Sequence, residues 1–163
     1  MENEMTLNQQ VRDMDKELNE FKQVWRDMGA RYAWTDKKIT IMKNPSDSLN
    51  VYTFELCNPW YTGTYVSTLS SITLKVNHKE IEQKSIYFVL REQMLPVHIL
   101  KTVHELWWAC GEVVKIFVEE AAVADIMKND NEIELAMVMR SVGSYGIPGD
   151  FVDYTFQANM EVI

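Results

Sequence analysis

The most regular pattern of apolar and polar positions lies at the start of the chain. Leu7, Val11, Met14, Leu18, Phe21, Trp25 and Met28 follow a 4-3-4-3-4-3 spacing, which puts all seven on one stripe of a helix. Thr6 with Gln9 three residues later reads as a capping box, and Gly29 stands where a left-handed C-terminal cap belongs. Arg12, Asp13, Asp15, Lys16, Glu17, Asn19, Glu20 and Lys22 occupy the remaining positions and form a solvated face. A period of 3.5 over three heptads also matches a coiled-coil seam. The stripe therefore packs on its own domain or docks on another chain, and both readings stay open.

Beyond Gly29 the period drops to two. Residues 37–43 alternate around Ile39 and Ile41, Asn44-Pro45-Ser46-Asp47-Ser48 is a turn, and residues 50–57 carry Val51, Tyr52, Phe54 and Leu56 before Asn58-Pro59 stops the strand. In residues 65–76, Ile72, Leu74 and Val76 alternate strictly. A polar turn at Asn77-His78-Lys79 follows, with Ile81 and residues 86–90 beyond it, a hairpin pattern. Pro96 opens a segment to Trp107 that has room for about two helical turns. Residues 113–119 read as a buried strand and residues 125–131 as a polar turn. Residues 132–140 alternate cleanly, with Ile133, Leu135, Met137 and Met139 on one side. After a loop holding Gly143, Gly146, Pro148 and Gly149, residues 151–162 form a last strand. The expectation is a mainly β protein, an antiparallel β-sandwich (residues 31–163) with an N-terminal amphipathic helical arm (residues 1–30).

Composition narrows the function. In 163 residues, 24 acidic against 16 basic side chains give a net charge of −8, the wrong sign for holding nucleic acid phosphates or an anionic membrane. No apolar run reaches the roughly 20 residues of a membrane span, and the acidic start has no apolar stretch of a signal peptide. Cys57 and Cys110 are therefore expected as reduced, buried thiols in a cytoplasmic protein.

Residue patterns that signal chemistry are few. His78, His98 and His104 form no metal-ligand spacing and read as surface or boundary histidines. No nucleophile elbow, catalytic cysteine signature or phosphate loop occurs. Glu119, Glu120, Asp125, Asp130 and Glu132 read as a solvated acidic face rather than a paired acid and base. No catalytic or metal residue is expected. What remains is the aromatic cluster Pro59-Trp60-Tyr61-Thr62-Gly63-Thr64-Tyr65 between two strands. Such a loop either anchors an interface, stacks on sugar rings or turns its rings into the core. Trp107 and Trp108 cannot both face one side of a strand, so one of them points outward.

These residues carry a resemblance. Pro59-Trp60-Tyr61-Thr62-Gly63, then Leu69-Ser70-Ser71-Ile72-Thr73-Leu74-Lys75-Val76-Asn77, the Trp108, Gly111 and Glu112 segment, and the strand at residues 134–140 followed by Tyr145 resemble the small β subunit of bacterial C-glycoside deglycosidases. Family members have a proline-aromatic-Tyr-x-Gly turn and a serine-containing strand ending in Val-Asp-Gly. Here Asn77-His78 replaces Asp-Gly. The likeness runs over about residues 50–162 and leaves the helix outside.

The resemblance implies a β-sandwich subunit bound to a larger (β/α)₈-barrel α subunit. That partner would hold a divalent metal, manganese, and the catalytic residues. The complex would cleave the carbon–carbon bond between a 3-oxo-glucose and a flavonoid-type aglycone. In this chain, Pro59, Trp60, Tyr61, Gly63, Tyr145, Ile147 and Pro148 would contact the α subunit or border the mouth of its active site. Two other readings compete: a carbohydrate-binding module using Trp60, Tyr61 and Trp108 as platforms, and an assembly protein whose helix self-associates.

Overall fold

The structure, a computed structural model, describes residues 2–58, 63–140 and 151–163; side chains are described throughout these except at residues 2–8, 25, 28 and 30. The chain opens with a helix, α1 (Glu2–Tyr32). It starts before and ends after the expected 7–28, so Thr6 lies inside the helix and Gly29 is not its cap. The reason is tertiary. Gly29 is buried against β11 (Phe151–Val162), and a Cβ there would stand 2.6 Å from Cε1 of Phe156. Glycine is needed for this close approach, and the helix runs on past it. Its end is caught by β2 (Asn50–Cys57): the Cys57 amide donates to the Ala33 carbonyl at 2.7 Å, and Trp34 bridges to Leu56. Trp34 then meets Phe54 and Phe156 edge-on, at 5.7 and 6.5 Å between ring centres.

The remaining strands are β1 (Lys38–Lys43), β3 (Thr64–Tyr65), β4 (Leu69–Val76), β5 (Lys79–Glu80), β6 (Ile86–Leu90), β7 (Gln93–Pro96), β8 (Trp107–Trp108), β9 (Val113–Glu119) and β10 (Asp130–Arg140). A one-turn helix, α2 (Glu120–Val123), follows β9. Nine strands form one curled sheet in the order β5-β4-β10-β11-β1-β2-β9-β6-β7, and β3 and β8 form a small second sheet. Among the described residues every strand pairing is antiparallel except that of β1 with β11, where Lys38 and Ile39 run parallel to Glu161 and Val162. The mainly β fold with an N-terminal helix matches the expectation, and its two antiparallel halves are joined through this parallel seam.

Period-two alternation builds the core. Ile39, Phe54, Leu56, Phe88 and Ile116 from one half, with Leu74, Leu135, Met137 and Phe156 from the other, belong to a single buried cluster. Burying side chains of this size contributes on the order of 1.5–3 kcal/mol each.

Turn chemistry fixes the hairpins. Asn77 (φ 50°) and His78 (φ 70°) give β4–β5 the two left-handed residues a tight turn requires. The Asn77 amide also donates to the Ile126 carbonyl and to Asn131 Oδ1, and its oxygen accepts from the Glu132 amide. The hairpin is shorter than the pattern implied. Only Lys79 and Glu80 return along β4, whereas residues 86–90 cross to the other half and pair with β7 and β9. Arg91 (φ 48°) and Glu92 (φ 67°) make the β6–β7 turn in the same way. The helical turns after Pro96 are a short 3₁₀ helix (Val97–Thr102), and residues 107–108 leave it to become β8.

Candidate functional site

The sequence-derived site residues divide sharply. Pro59, Trp60, Tyr61, Tyr145, Ile147 and Pro148 lie outside the described residues. Gly63 is described, and it leads to a surface that pattern reading only half anticipated.

That surface is the small sheet. In it Thr64 pairs with Trp108 and Tyr65 with Trp107. Directly opposed residues share a face, so one pair turns inward and the other outward. Trp108 is fully buried and meets Phe88 edge-on at 5.4 Å, while Trp107 is 40% and Tyr65 47% exposed. The outward tryptophan is thus Trp107. Its ring packs edge-on against Tyr65, 4.9 Å between centres at 80°. Beneath it sits Gly63, where a Cβ would lie 2.4 Å from the indole Nε1. A glycine at this place is what lets the indole lie down over the backbone.

A polar frame fixes the sheet from below. Arg91, lifted by its left-handed backbone, donates Nε and Nη2 to the two carboxylate oxygens of Glu112, both at 2.7 Å, and Nη2 also reaches the Trp107 carbonyl. Glu112 accepts a third bond from the Ala109 amide at 2.9 Å, and its carbonyl accepts the Trp108 indole N–H. Burial pushes the Glu112 carboxyl up, but the Arg91 bonds, the Ala109 N–H and the Arg91 charge outweigh it. The net shift is below the usual carboxylate range. Gly111 (φ 72°) closes the turn between Trp108 and Glu112.

Asn58, 1% exposed, ties the preceding strand to the same frame. It donates Nδ2 to the Trp108 carbonyl, gives its own N–H to Glu112 and accepts from the Gly111 amide. On the other side Val66 donates its amide to Leu106, and the Thr64 and Thr68 hydroxyls are 2.8 Å apart. Asn58 and Gly63, which bound residues 59–62 in sequence, are both held against residues 107–112.

Two cysteines flank this frame. Cys57 is half-buried and Cys110 is exposed, so Cys110 is not the core residue its neighbours Trp107-Trp108-Ala109 implied. Both thiols are free. Burial, and then the proximity of Cys110, push the Cys57 thiol up, which keeps it protonated and a poor nucleophile.

Other candidates dissolve into ordinary surface. His78, His98 and His104 are exposed. Glu132 pairs with His78 at 3.2 Å, and Glu134 is held by Lys75 at 3.1 Å and by the Gln157 amide at 2.7 Å. The Gln157 hydrogen bond, and then the Lys75 pair, hold the Glu134 carboxyl down. This is a balanced polar network rather than a site. Among the described residues no three or more His, Cys, Asp or Glu side chains are grouped to hold a metal, and no helix is long and apolar enough to cross a membrane.

The sequence missed Tyr65, Arg91 and Glu112 as a unit. Trp107 was half-visible, since a Trp-Trp pair in a strand must send one ring out. Arg91-Glu92 lacks the Asn-Gly or Asp-Gly character that marks a tight hairpin, and nothing local linked Arg91 to Glu112.

Comparison with known proteins places this surface in context. A family model for the C-glycoside deglycosidase beta subunit matches residues 30–142. That stretch takes in Gly63, Tyr65, Arg91, Trp107 and Glu112 and leaves out most of α1 and all of β11. No curated protein matches the chain. Covering more than half of the residues, the family match establishes that the chain belongs to the C-glycoside deglycosidase beta subunit family.

Proposed function

We propose that this chain is the noncatalytic β subunit of a heteromeric C-glycoside deglycosidase and that the Gly63–Tyr65–Trp107 surface meets the catalytic subunit. The partner is a (β/α)₈-barrel α subunit that holds a divalent metal, manganese, and the reacting groups. The substrate is a 3-oxo-C-glucoside of flavonoid type. Its 3-oxo group acidifies the C–H at C2. A base removes that proton, the C–H pair forms the C1–C2 double bond, and the C1–aglycone pair leaves with the aglycone carbon, which takes up a proton. The complex works in the cytoplasm, in keeping with two free thiols.

One observation carries the placement of the interface: Trp107 and Tyr65 are exposed aromatics clamped on a rigid frame, with a glycine beneath them. Exposed aromatic anchors held in one conformation are what binding hot spots require. Residues 59–62 leave and rejoin the chain at this frame, so Pro59, Trp60, Tyr61 and Gly63 belong to the proposed surface. Tyr145, Ile147 and Pro148 are proposed to line the active-site mouth. A sugar-binding platform fits less well at Trp108, which is fully buried.

Co-expression with a metal-dependent barrel subunit of this enzyme class tests the reading. The two chains should purify together, and Trp107→Ala should weaken the complex without unfolding this chain. Purification of the wild-type chain as a lone species would reject it.

A further inference from the structure

Cys57 and Cys110 lie far apart in sequence and meet at one turn. Cys57 ends β2, opposite Val113 of β9. Past it the two strands pair unevenly: Asn58 donates its amide to the Glu112 carbonyl at 3.0 Å and accepts from the Gly111 amide at 2.9 Å. Two residues thus oppose one, a bulge whose left-handed member is Gly111 (φ 72°). The Glu112 amide returns to the Ala109 carbonyl at 3.1 Å, which makes Cys110 and Gly111 the central residues of a tight turn. The Cys57 thiol aims at this turn. Its Sγ is 3.5 Å from the Asn58 carbonyl oxygen, the same oxygen that holds the Gly111 amide, and that amide nitrogen is bonded to Cys110. Burial, and then the nearness of Cys110, raise the Cys57 thiol. Beyond the chain neighbours, no described residue comes within 4 Å of where a Cβ on Gly111 would stand, so the turn has room to shift.

We propose that Cys57 and Cys110 are a redox-active pair that closes to an intramolecular disulfide by exchange with a low-molecular-weight disulfide such as glutathione disulfide. Cys110 is exposed and reacts first. Its thiolate attacks one sulfur of the glutathione disulfide, the S–S bond breaks, and one glutathione leaves as a thiolate. A mixed disulfide remains on Cys110. Cys57 then gives up its proton and attacks the Cys110 sulfur, which expels the second glutathione. The chain loses two electrons and two protons, and the glutathione disulfide becomes two glutathione thiols. Half-buried and with its thiol raised, Cys57 is poor at the first step; in the second it has only to reach a sulfur already beside it. A reversible pair of this kind is what a reducing compartment allows. The bond ties the end of β2 to the turn that carries Glu112. This chemistry belongs to the chain alone and does not rest on a docked subunit.

Mass spectrometry of the full, reduced chain after native incubation with millimolar glutathione disulfide tests it. The wild type should lose both thiols together and two hydrogens of mass, with no glutathione attached. Peptide mapping should find Cys57 joined to Cys110, and dithiothreitol should restore both thiols. Cys57→Ser should stop with one glutathione held on Cys110. Cys110→Ser should react at least about tenfold more slowly, since only the half-buried thiol is left. The equilibrium against glutathione should favour the closed disulfide at least about tenfold more in buffer than in concentrated urea, because the fold and not the chain brings the thiols together. A wild type that keeps glutathione on Cys110, joins to a second chain or keeps both thiols free overturns the proposal. So does a Cys110→Ser variant that reacts as fast as the wild type, or closure no more favoured in buffer than in urea.

Discussion

Glu112 gathers the outward aromatic edge into one piece through bonds from Arg91, Ala109, Trp108 and Asn58. The charge matters for the three N–H bonds from Arg91 and Ala109, because Trp108 and Asn58 donate to the backbone carbonyl. Glu112→Gln keeps the shape and should cost about 1–2 kcal/mol at neutral pH, near the lower end because Arg91 is half-exposed and screened. The sign with pH follows from the depressed carboxyl. Stability from the ionised form is fully present above the unfolded value and is lost as pH falls through the lower folded one. Urea unfolding across a pH series should therefore show wild type and Glu112→Gln converging as the medium becomes acidic; a constant gap would contradict it. Gly63→Ala is expected to act differently. Its Cβ would push on the free end of an exposed indole, so Trp107 swings off Tyr65 at a stability cost below about 1 kcal/mol. Tryptophan fluorescence should shift to the red while the unfolding midpoint barely moves. At this scale the sequence told that one tryptophan faces out, but which one depends on the pairing of residue 64 with 108. The Arg91–Glu112 link joins residues 21 apart, and no local pattern carries it.

Elements were more legible than single contacts, because alternation is a property of each segment alone. Residues 50–57, 113–119 and 151–162 were all readable as strands from their apolar spacing. Helix ends and strand partners were not. Gly29 looks like a cap in any local window, yet its role is set by Phe156, far along the chain. Gly29→Ala should gain about 1 kcal/mol of helix propensity but lose about 1–3 kcal/mol by overpacking a ring that is only 1% exposed. A net destabilisation of up to about 2 kcal/mol by denaturant titration is the expected balance, and a stabilised variant would mean that helix and sheet can part at no cost. Residues 86–90 show the same limit for strands: their pattern names a strand, but only the closed core decides that it crosses to β9 instead of returning along β4.

For the molecule as a whole, the acidic charge spoke against nucleic acid and anionic membranes as partners, and the resemblance at residues 59–77 and 134–140 said where it belongs. The family match agrees with that assignment. Residues 59–62 and 141–150 carry most of the named candidate contacts and lie outside the described residues, so the site rests on Gly63 and on Tyr65 and Trp107 beside it. A chain that contributes surface rather than chemistry should change a partner's turnover without having any itself. The most direct measurement is reconstitution: titrate the purified chain into the isolated metal-loaded barrel subunit and follow release of aglycone from a 3-oxo-C-glucoside. Turnover should be absent with this chain alone, rise saturably as it is added to the barrel subunit, and need a higher concentration of the Trp107→Ala variant to reach half its maximum. Turnover by the barrel subunit that is unaffected by the added chain would contradict the account.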